Sequence, residues 1–435
     1  MKTPTMTWRR LKLSMAWQGS KLLLALAVAL AAAMAQTPAQ AQNYKFKVLH
    51  TFHGPDGAIP DGLLARDGAG DLYGTTSGGG TGKGLCASYF YGCGTAFKLD
   101  ASGKLLWSHS FDLHNGADPM AGMTRGSAGH LYGTTVLGGD TTCYQYGCGT
   151  VFELDSTGRE EVLHKFTGSD GEFPEPLLAR DAAGNLYGTT LASLGNIFEM
   201  DKTGKLSVLY TFTGEADGCY PVGLTLDSDG NLYGVTTGGG SAPCGSGNGV
   251  AFELDTAGSL LVLHTFQGSD GSQPDSVLLF DKSGNLYGTT YAGGSSDVCE
   301  GGCGTVFKLT PNGNGTWTES VLYSFCSLDG CADGQTPGRG PLAIDAAGNL
   351  YGTTELGGVD SCGGGYGCGV VYSLGPGGQE AVLYSFAGGT DGAGTSAGVV
   401  MDGAGSLYGA AGRGGDMACK DGTGYGCGVV FQLSP

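Results

Sequence analysis

Basic residues are scarce in this chain. Lys and Arg total 22 against 40 Asp and Glu, a formal net charge of −18. Nucleic acids and anionic membrane surfaces both call for a basic footprint, so neither is expected as a partner. Charged residues of either sign make up only 14% of the sequence and histidine only 7 positions. No glycine loop sits at a strand-to-helix junction, so no phosphate cradle is recognisable. No nucleophile motif accompanies the histidines. Beyond the N-terminal segment no apolar run is long enough to cross a bilayer, and none closes the sequence at Pro435.

The N-terminal segment reads as a targeting signal. Arg9, Arg10, Lys12 and Lys21 form a basic region, Leu22 to Met34 an apolar stretch, and Ala39-Gln40-Ala41 a small-x-small cleavage site. Ala33-Met34-Ala35 offers an alternative cut, and Arg9-Arg10 raises a twin-arginine route. Residues 1–41 are therefore expected to be a signal peptide and 42–435 the folded domain. No Cys follows the apolar stretch, which argues against a lipoprotein anchor. The expected product is a monomer, secreted or periplasmic.

What is abundant is glycine, 85 residues, and one recurring phrase. Leu-Tyr-Gly-Thr-Thr or a near copy occurs at Tyr73, Tyr132, Tyr187, Tyr233, Tyr287, Tyr351 and Tyr408. The spacing is roughly 56 residues, within the range of propellers and arrays. Within one repeat, Pro176 to Arg180, Leu186 to Thr190, Asn196 to Met200 and Leu206 to Phe212 read as four short strands. Asp-x-x-Gly turns at 181–184 and 201–204 separate two pairs of them. Four antiparallel strands repeated seven times predict an all-β, seven-bladed propeller. A β-helix is the alternative, but its coils are much shorter than this period. The last repeat stops after its third strand at 429–433, while residues 43–53 hold an orphan fourth strand. Pairing the two completes the last blade and removes exposed sheet edges.

The phrase at Gly184 to Thr190, Gly284 to Thr290 and Gly348 to Thr354, with Gly-Thr-Val-Phe at 149–152 and 304–307, resembles the GloVer tandem-repeat proteins. Those are exported bacterial proteins built from Asn-Leu-Tyr-Gly-Thr-Thr repeats. The resemblance covers essentially the whole mature chain. It implies export and a propeller-like array, often with an added surface anchor, for which no segment is found here. It implies no activity and no catalytic residues.

Fourteen cysteines in an exported chain predict disulfides. Cys86–Cys93, Cys143–Cys148, Cys299–Cys303, Cys362–Cys368 and Cys419–Cys427 each fall between the second and third strands of one repeat. Repeat three has a short loop there and neither cysteine. Cys219–Cys244 and Cys326–Cys331 use the turn before a first strand, which antiparallel order puts on the same face. Zinc is the alternative, but each pair brings two thiolates and pairs in different blades are expected to lie too far apart to share a metal. No metal site is therefore assigned.

That face, with its long braced loops, is where binding is expected. Tyr91, Tyr146, Tyr366 and Tyr425, each preceding a Gly-Cys-Gly, and Tyr220 nearby could stack on sugar rings, or pack their own glycine-rich loops. The Asp/Asn-Gly turn residues Asp56, Asn115, Asp170, Asp217, Asp270, Asp333 and Asp391 are expected to form an acidic ring at the channel mouth. It could hold Ca²⁺, although shaping the turn is sufficient reason for them. Asp227-x-Asp229-Gly230-Asn231 is only a faint calcium loop. His50, His109, His164 and His264 share a fourth-strand position with Tyr210, Tyr323 and Tyr384, which favours aromatic packing over acid–base chemistry. Recurrent Thr-Thr pairs are β-formers; seven near-copies are not seven nucleophiles. No cofactor is expected. The leading functional reading is a non-enzymatic propeller binding a glycan or a protein. A polysaccharide lyase or hydrolase with channel carboxylates is the second, and a structural envelope component the third.

Overall fold

The computed structural model describes residues 44–81, 92–120, 122–143, 145–175, 177–191, 193–359, 362, 366–419 and 425–435. They form seven antiparallel sheets, six of them paired in sequence order from the innermost strand outward. Blade three shows the pattern: Ala179–Arg180, Leu186–Thr190, Asn196–Met200 and Leu206–Thr211. The innermost strand is shorter than its sequence suggests. Blades five and six break it into two pieces, Ser272–Pro274 with Leu279–Phe280 and Gln335–Pro337 with Ala343–Ile344. No α-helix occurs among the described residues, and none of their helices is long and apolar enough to cross a membrane.

The ring closes through its first strand. Lys45–Thr51 pairs with Val429–Ser434, from Lys45 opposite Ser434 to Thr51 opposite Val429. Blade seven thus draws three strands from the end of the chain and one from its beginning.

Steric fit explains the repeated phrase. The glycine of Leu-Tyr-Gly-Thr-Thr lies opposite a third-strand aromatic: Gly74 faces Phe97, Gly133 faces Phe152 and Gly409 faces Phe431. A Cβ on Gly74 would come within 2.6 Å of the Phe97 ring and 2.8 Å of Leu64. Only glycine leaves room for the ring to lie over the strand. Those rings are fully buried and meet the phenylalanine that follows the preceding outer strand, as in Phe52–Phe97 at 5.1 Å and Phe111–Phe152 at 5.0 Å. Each blade is therefore joined to the next by an edge-to-face or tilted aromatic pair, worth about 0.5–1.5 kcal/mol beyond its buried area.

The polar members of the repeat bond within it. In six repeats the tyrosine hydroxyl donates to the aspartate of the turn before it, as Tyr73 does to Asp67 at 2.9 Å and Tyr408 to Asp402 at 3.0 Å. The second threonine meets a threonine opening the third strand, Thr76 with Thr95 at 2.9 Å and Thr290 with Thr305 at 2.9 Å. Threonine here satisfies buried polar groups, which is a structural role.

Candidate functional site

The seven turn residues expected around the channel mouth are turned away from the axis. Asp56 bonds His50 at 3.1 Å, Asp170 bonds His164 at 2.9 Å and Asp270 bonds His264 at 2.9 Å. Where the outer strand carries tyrosine, its hydroxyl donates instead: Tyr210 to Asp217 at 3.1 Å, Tyr323 to Asp333 at 2.7 Å and Tyr384 to Asp391 at 2.9 Å. Asn115 lies 3.4 Å from the ring nitrogen of His109 and donates to Glu160 at 2.6 Å. The carboxylates also accept backbone N–H groups of their own turns, as Asp56 does from His53 and Asp170 from Thr167. They clamp the outer strand to the turn that follows it. This explains why His and Tyr interchange: both present a donor at one height while packing edge-on against phenylalanine, as His50 does on Phe52.

The axial cavities draw many of their lining residues from positions three and five places further on. Three residues after the turn acid stand Ile59, Asp118, Phe173, Tyr220, Gln273, Thr336 and Gly394, all with left-handed backbone, φ between 52° and 67°. Six of the seven are not glycine, in a conformation that costs about 1–2 kcal/mol for an L-residue. Each of these amides donates to a carbonyl in the loop of the preceding repeat. Five of the acceptors are bridged cysteines: Cys427 for Ile59, Cys93 for Asp118, Cys148 for Phe173, Cys303 for Thr336 and Cys368 for Gly394. Leu194 and Asn248 serve Tyr220 and Gln273. The bridges therefore set the rim of the channel as well as bracing loops.

Five places after the turn acid stand Asp61, Met120, Glu175, Val222, Asp275, Gly338 and Ser396. Most of them, with Ile59, Arg339 and Arg413, line an axial cavity of about 220 Å³. A second cavity of about 460 Å³ shares Glu175, Val222 and Arg339 and extends past Tyr220, Gln273 and Asp275. It opens where repeat three has only residues 191–195 between its second and third strands.

Charge in these cavities is unbalanced. Burial pushes the Asp61 carboxyl up to about 7, helped by Glu355 and Asp118 and opposed by Arg413. Burial also pushes Glu175 to about 7, with Asp275 adding and Arg339 opposing. Asp118 and Asp275 rise to about 6 for the same reason, Asp275 against the pull of Arg339. Arg339 Nε lies 3.0 Å from Asp275, and Asp61 accepts long hydrogen bonds from Ser77 and Ser396. These groups combine hydrogen-bonding polarity with the apolar walls of Leu63, Val136, Leu177 and Val277.

The tyrosines do not share one setting. Tyr220 lines the second cavity. Tyr425 is exposed, with the Arg413 guanidinium 5.7 Å from its ring centre, and Tyr366 is exposed. Tyr146 packs against the core between blades one and two. Tyr91 lies outside the described residues.

Bridges join Cys143–Cys148, Cys219–Cys244, Cys299–Cys303, Cys326–Cys331, Cys362–Cys368 and Cys419–Cys427. Cys93 is also bonded, and Cys86 lies outside the described residues. One geometric expectation is corrected. The Cys299–Cys303 and Cys326–Cys331 pairs, from neighbouring repeats, bring four sulfurs within 4.8 Å of one another. The turn before blade six folds back over the blade-five loop, which puts Cys299 Sγ 3.8 Å from Cys326 Sγ. Each sulfur is already bridged, which leaves no thiolate to bind metal.

Fold and cavity together define a seven-bladed β-propeller with an axial site whose walls come from every repeat. The sequence matches the Gloeobacter/Verrucomicrobia repeat over residues 36–195, 86–300 and 192–363, more than half of its length, and the chain belongs to that family. No curated protein matches it in sequence. Among solved structures it is similar to the extracellular domain of a hybrid two-component system from B. thetaiotaomicron, at 12% identity and TM-score 0.54, over 90% of this chain and 41% of that one. The extracellular domain of a one-component system from the same organism gives the same figures. This chain thus spans about two fifths of the length of either, and the likeness is one of fold.

Proposed function

We propose that this is an exported binding propeller that holds a glycan at the axial mouth of its bridged loop face. The observation that carries this reading is the contrast between scaffold and rim. Turn acid, glycine and aromatic recur almost unchanged from repeat to repeat. The positions three and five after the turn differ nearly every time, and most of them line one or other cavity. Partly buried carboxyls and solvent-reaching guanidiniums beside apolar walls suit a ligand with hydroxyl groups on an apolar ring. Export agrees with the number of bridges, which persist only in an oxidising compartment.

The test is a glycan array followed by calorimetry on any glycan retained. The paired changes Asp61→Asn and Glu175→Gln should weaken binding by about tenfold or more, given roughly 1.4 kcal/mol per decade. Unchanged affinity would remove the axial site from the reading. Retention of no glycan at all would favour a protein ligand or a purely structural envelope role.

A second reading has one specific support. Carboxyls held near 7 suit general acid catalysis at neutral pH, so Asp61 and Glu175 are the groups a polysaccharide-cleaving enzyme would use. Incubating the protein with each retained glycan and assaying for new chain ends separates the two. Cleavage that Glu175→Gln abolishes selects the enzyme, and intact glycan selects the binder.

A further inference from the structure

We propose that the glycan is an oligomer bound by its end, its terminal sugar in the axial cavity and its next units leaving across repeat three. This rests on the glycan reading above and adds the shape and direction of the ligand. The axial cavity, about 220 Å³, falls below the ~300–1,000 Å³ usual for a complete small-molecule site. The second cavity is twice as large and joins it at Glu175, Val222 and Arg339, so one ligand can occupy both.

The direction follows from loop length. Between its second and third strands every other repeat carries a longer loop, for example residues 136–149 in repeat two and 357–369 in repeat six. Repeat three has residues 191–195 alone, which leaves a notch in the wall around the mouth. The notch is not bare. Tyr220 gives it an aromatic face, Gln273 and Thr237 give it polar side chains, and Gly245 leaves backbone uncovered at its surface. Tyr220 and Gln273 both hold left-handed backbone, φ 59° and 53°, so the rim strain extends to this exit. An aromatic face flanked by hydrogen-bonding groups and bare backbone suits consecutive sugar rings better than a compact ligand.

The test uses an array of β-1,4-linked glucose, mannose and glucosamine oligomers and α-1,4-linked galacturonate oligomers of one, two and four units. The full chain is compared with two variants. One replaces residues 191–195 by the repeat-two loop 136–149, which carries its own local bridge and fills the notch. The other is Thr237→Trp, which narrows the groove from its far wall without touching the turn. The expected result is retention that rises about tenfold or more from one unit to two in the full chain. In both variants that increment is lost while retention of the single unit stays within about twofold. Equal retention of single units and oligomers by the full chain overturns end-on binding, and so does an increment that survives in Thr237→Trp, the variant that leaves the loops intact. Retention of nothing in any series overturns the glycan reading itself, and this proposal with it.

Discussion

The strand that closes the ring can be tested at a single side chain. Phe46 lies on Lys45–Thr51, and its ring stacks on Tyr384 of blade six at 4.0 Å with the planes 8° apart. It also meets Phe386 edge-on at 5.8 Å and Phe431 at 5.7 Å. Truncating a fully buried phenylalanine costs about 3–5 kcal/mol. Phe46 is only half-buried, so about 2 kcal/mol is the share expected from burial, with about 1 kcal/mol more from the lost ring contacts. A ring spanning residues 43–435 unfolds with an entropy near 0.8 kcal/mol per kelvin. Phe46→Ala should therefore lower the calorimetric Tm by about 4 °C. Leu106→Ala supplies the control: Leu106 lies on the outer strand of blade one, 47% exposed and away from the seam. It should move Tm by less than about 1 °C. Deleting residues 43–53 removes the partner of Val429–Ser434 and leaves a free sheet edge, so aggregation is expected. If Phe46→Ala and Leu106→Ala behave alike, or the deletion stays soluble at the parent Tm, closure does not depend on this strand.

Three further outcomes follow from the same structure. Tyr372 is fully buried where other blades place phenylalanine, and its hydroxyl finds no hydrogen-bond partner among the described residues. Tyr372→Phe should therefore raise unfolding free energy by about 1–2 kcal/mol in denaturant titration, whereas a loss of stability would reveal a bond to that hydroxyl. Asp61 and Glu175 keep their protons up to about pH 7 when folded but release them near 4 when unfolded, so the folded state binds more protons in that window and stability falls as pH rises through it. Asp61→Asn and Glu175→Gln should flatten this fall, on the order of 2 kcal/mol each after allowing for solvent access, and unaltered Tm differences between pH 5 and pH 8 would contradict it. At the rim, Tyr220→Gly relieves left-handed strain while losing packing, so the ring should lose less than about 1 kcal/mol even as oligomer retention falls. A large drop in stability there would assign Tyr220 to the core.

Period and strand order were readable because the repeat is covalent pattern: Tyr73, Tyr132 and their five equivalents recur wherever a second strand must run. The clasp was readable for the same reason, since residues 43–53 look like a fourth strand without a blade. The axial cavity was not, because Asp56 and its equivalents are conspicuous within the chain for a structural reason. Their carboxylates face His50 and its counterparts on the outer strand, a contact between residues six to ten apart that pattern alone leaves undirected. Asp61, Glu175 and Arg339 carry no recurring signal, because a site that differs in every repeat cannot announce itself by repetition. A usable signal was the position itself: five places after each turn acid the residue type changes from repeat to repeat. The tyrosines before Gly-Cys-Gly show the opposite limit of pattern. Sequence gives them one register, but Tyr146 meets the core between two blades and Tyr425 meets Arg413.

The energetics of the rim separate scaffold from site. Glycine would hold the left-handed turn at no steric cost, and the chain uses glycine freely, including Gly394 at this position in repeat seven. Ile59, Asp118, Phe173, Tyr220, Gln273 and Thr336 instead accept roughly 1 kcal/mol or more of strain each. Hydrogen bonds from the preceding loops hold those six amides at 2.8 to 3.1 Å, and bridged cysteines supply four of the acceptors. The two acceptors that are not cysteine, Leu194 and Asn248, serve Tyr220 and Gln273, the residues beside the notch. A ring selected for stability alone has no reason to strain six different side chains into one circle and brace four of them covalently. What the strain fixes is a circle of dissimilar residues, of which Ile59 lines the axial cavity and Tyr220 and Gln273 the second, and it is on those three that the proposed recognition rests.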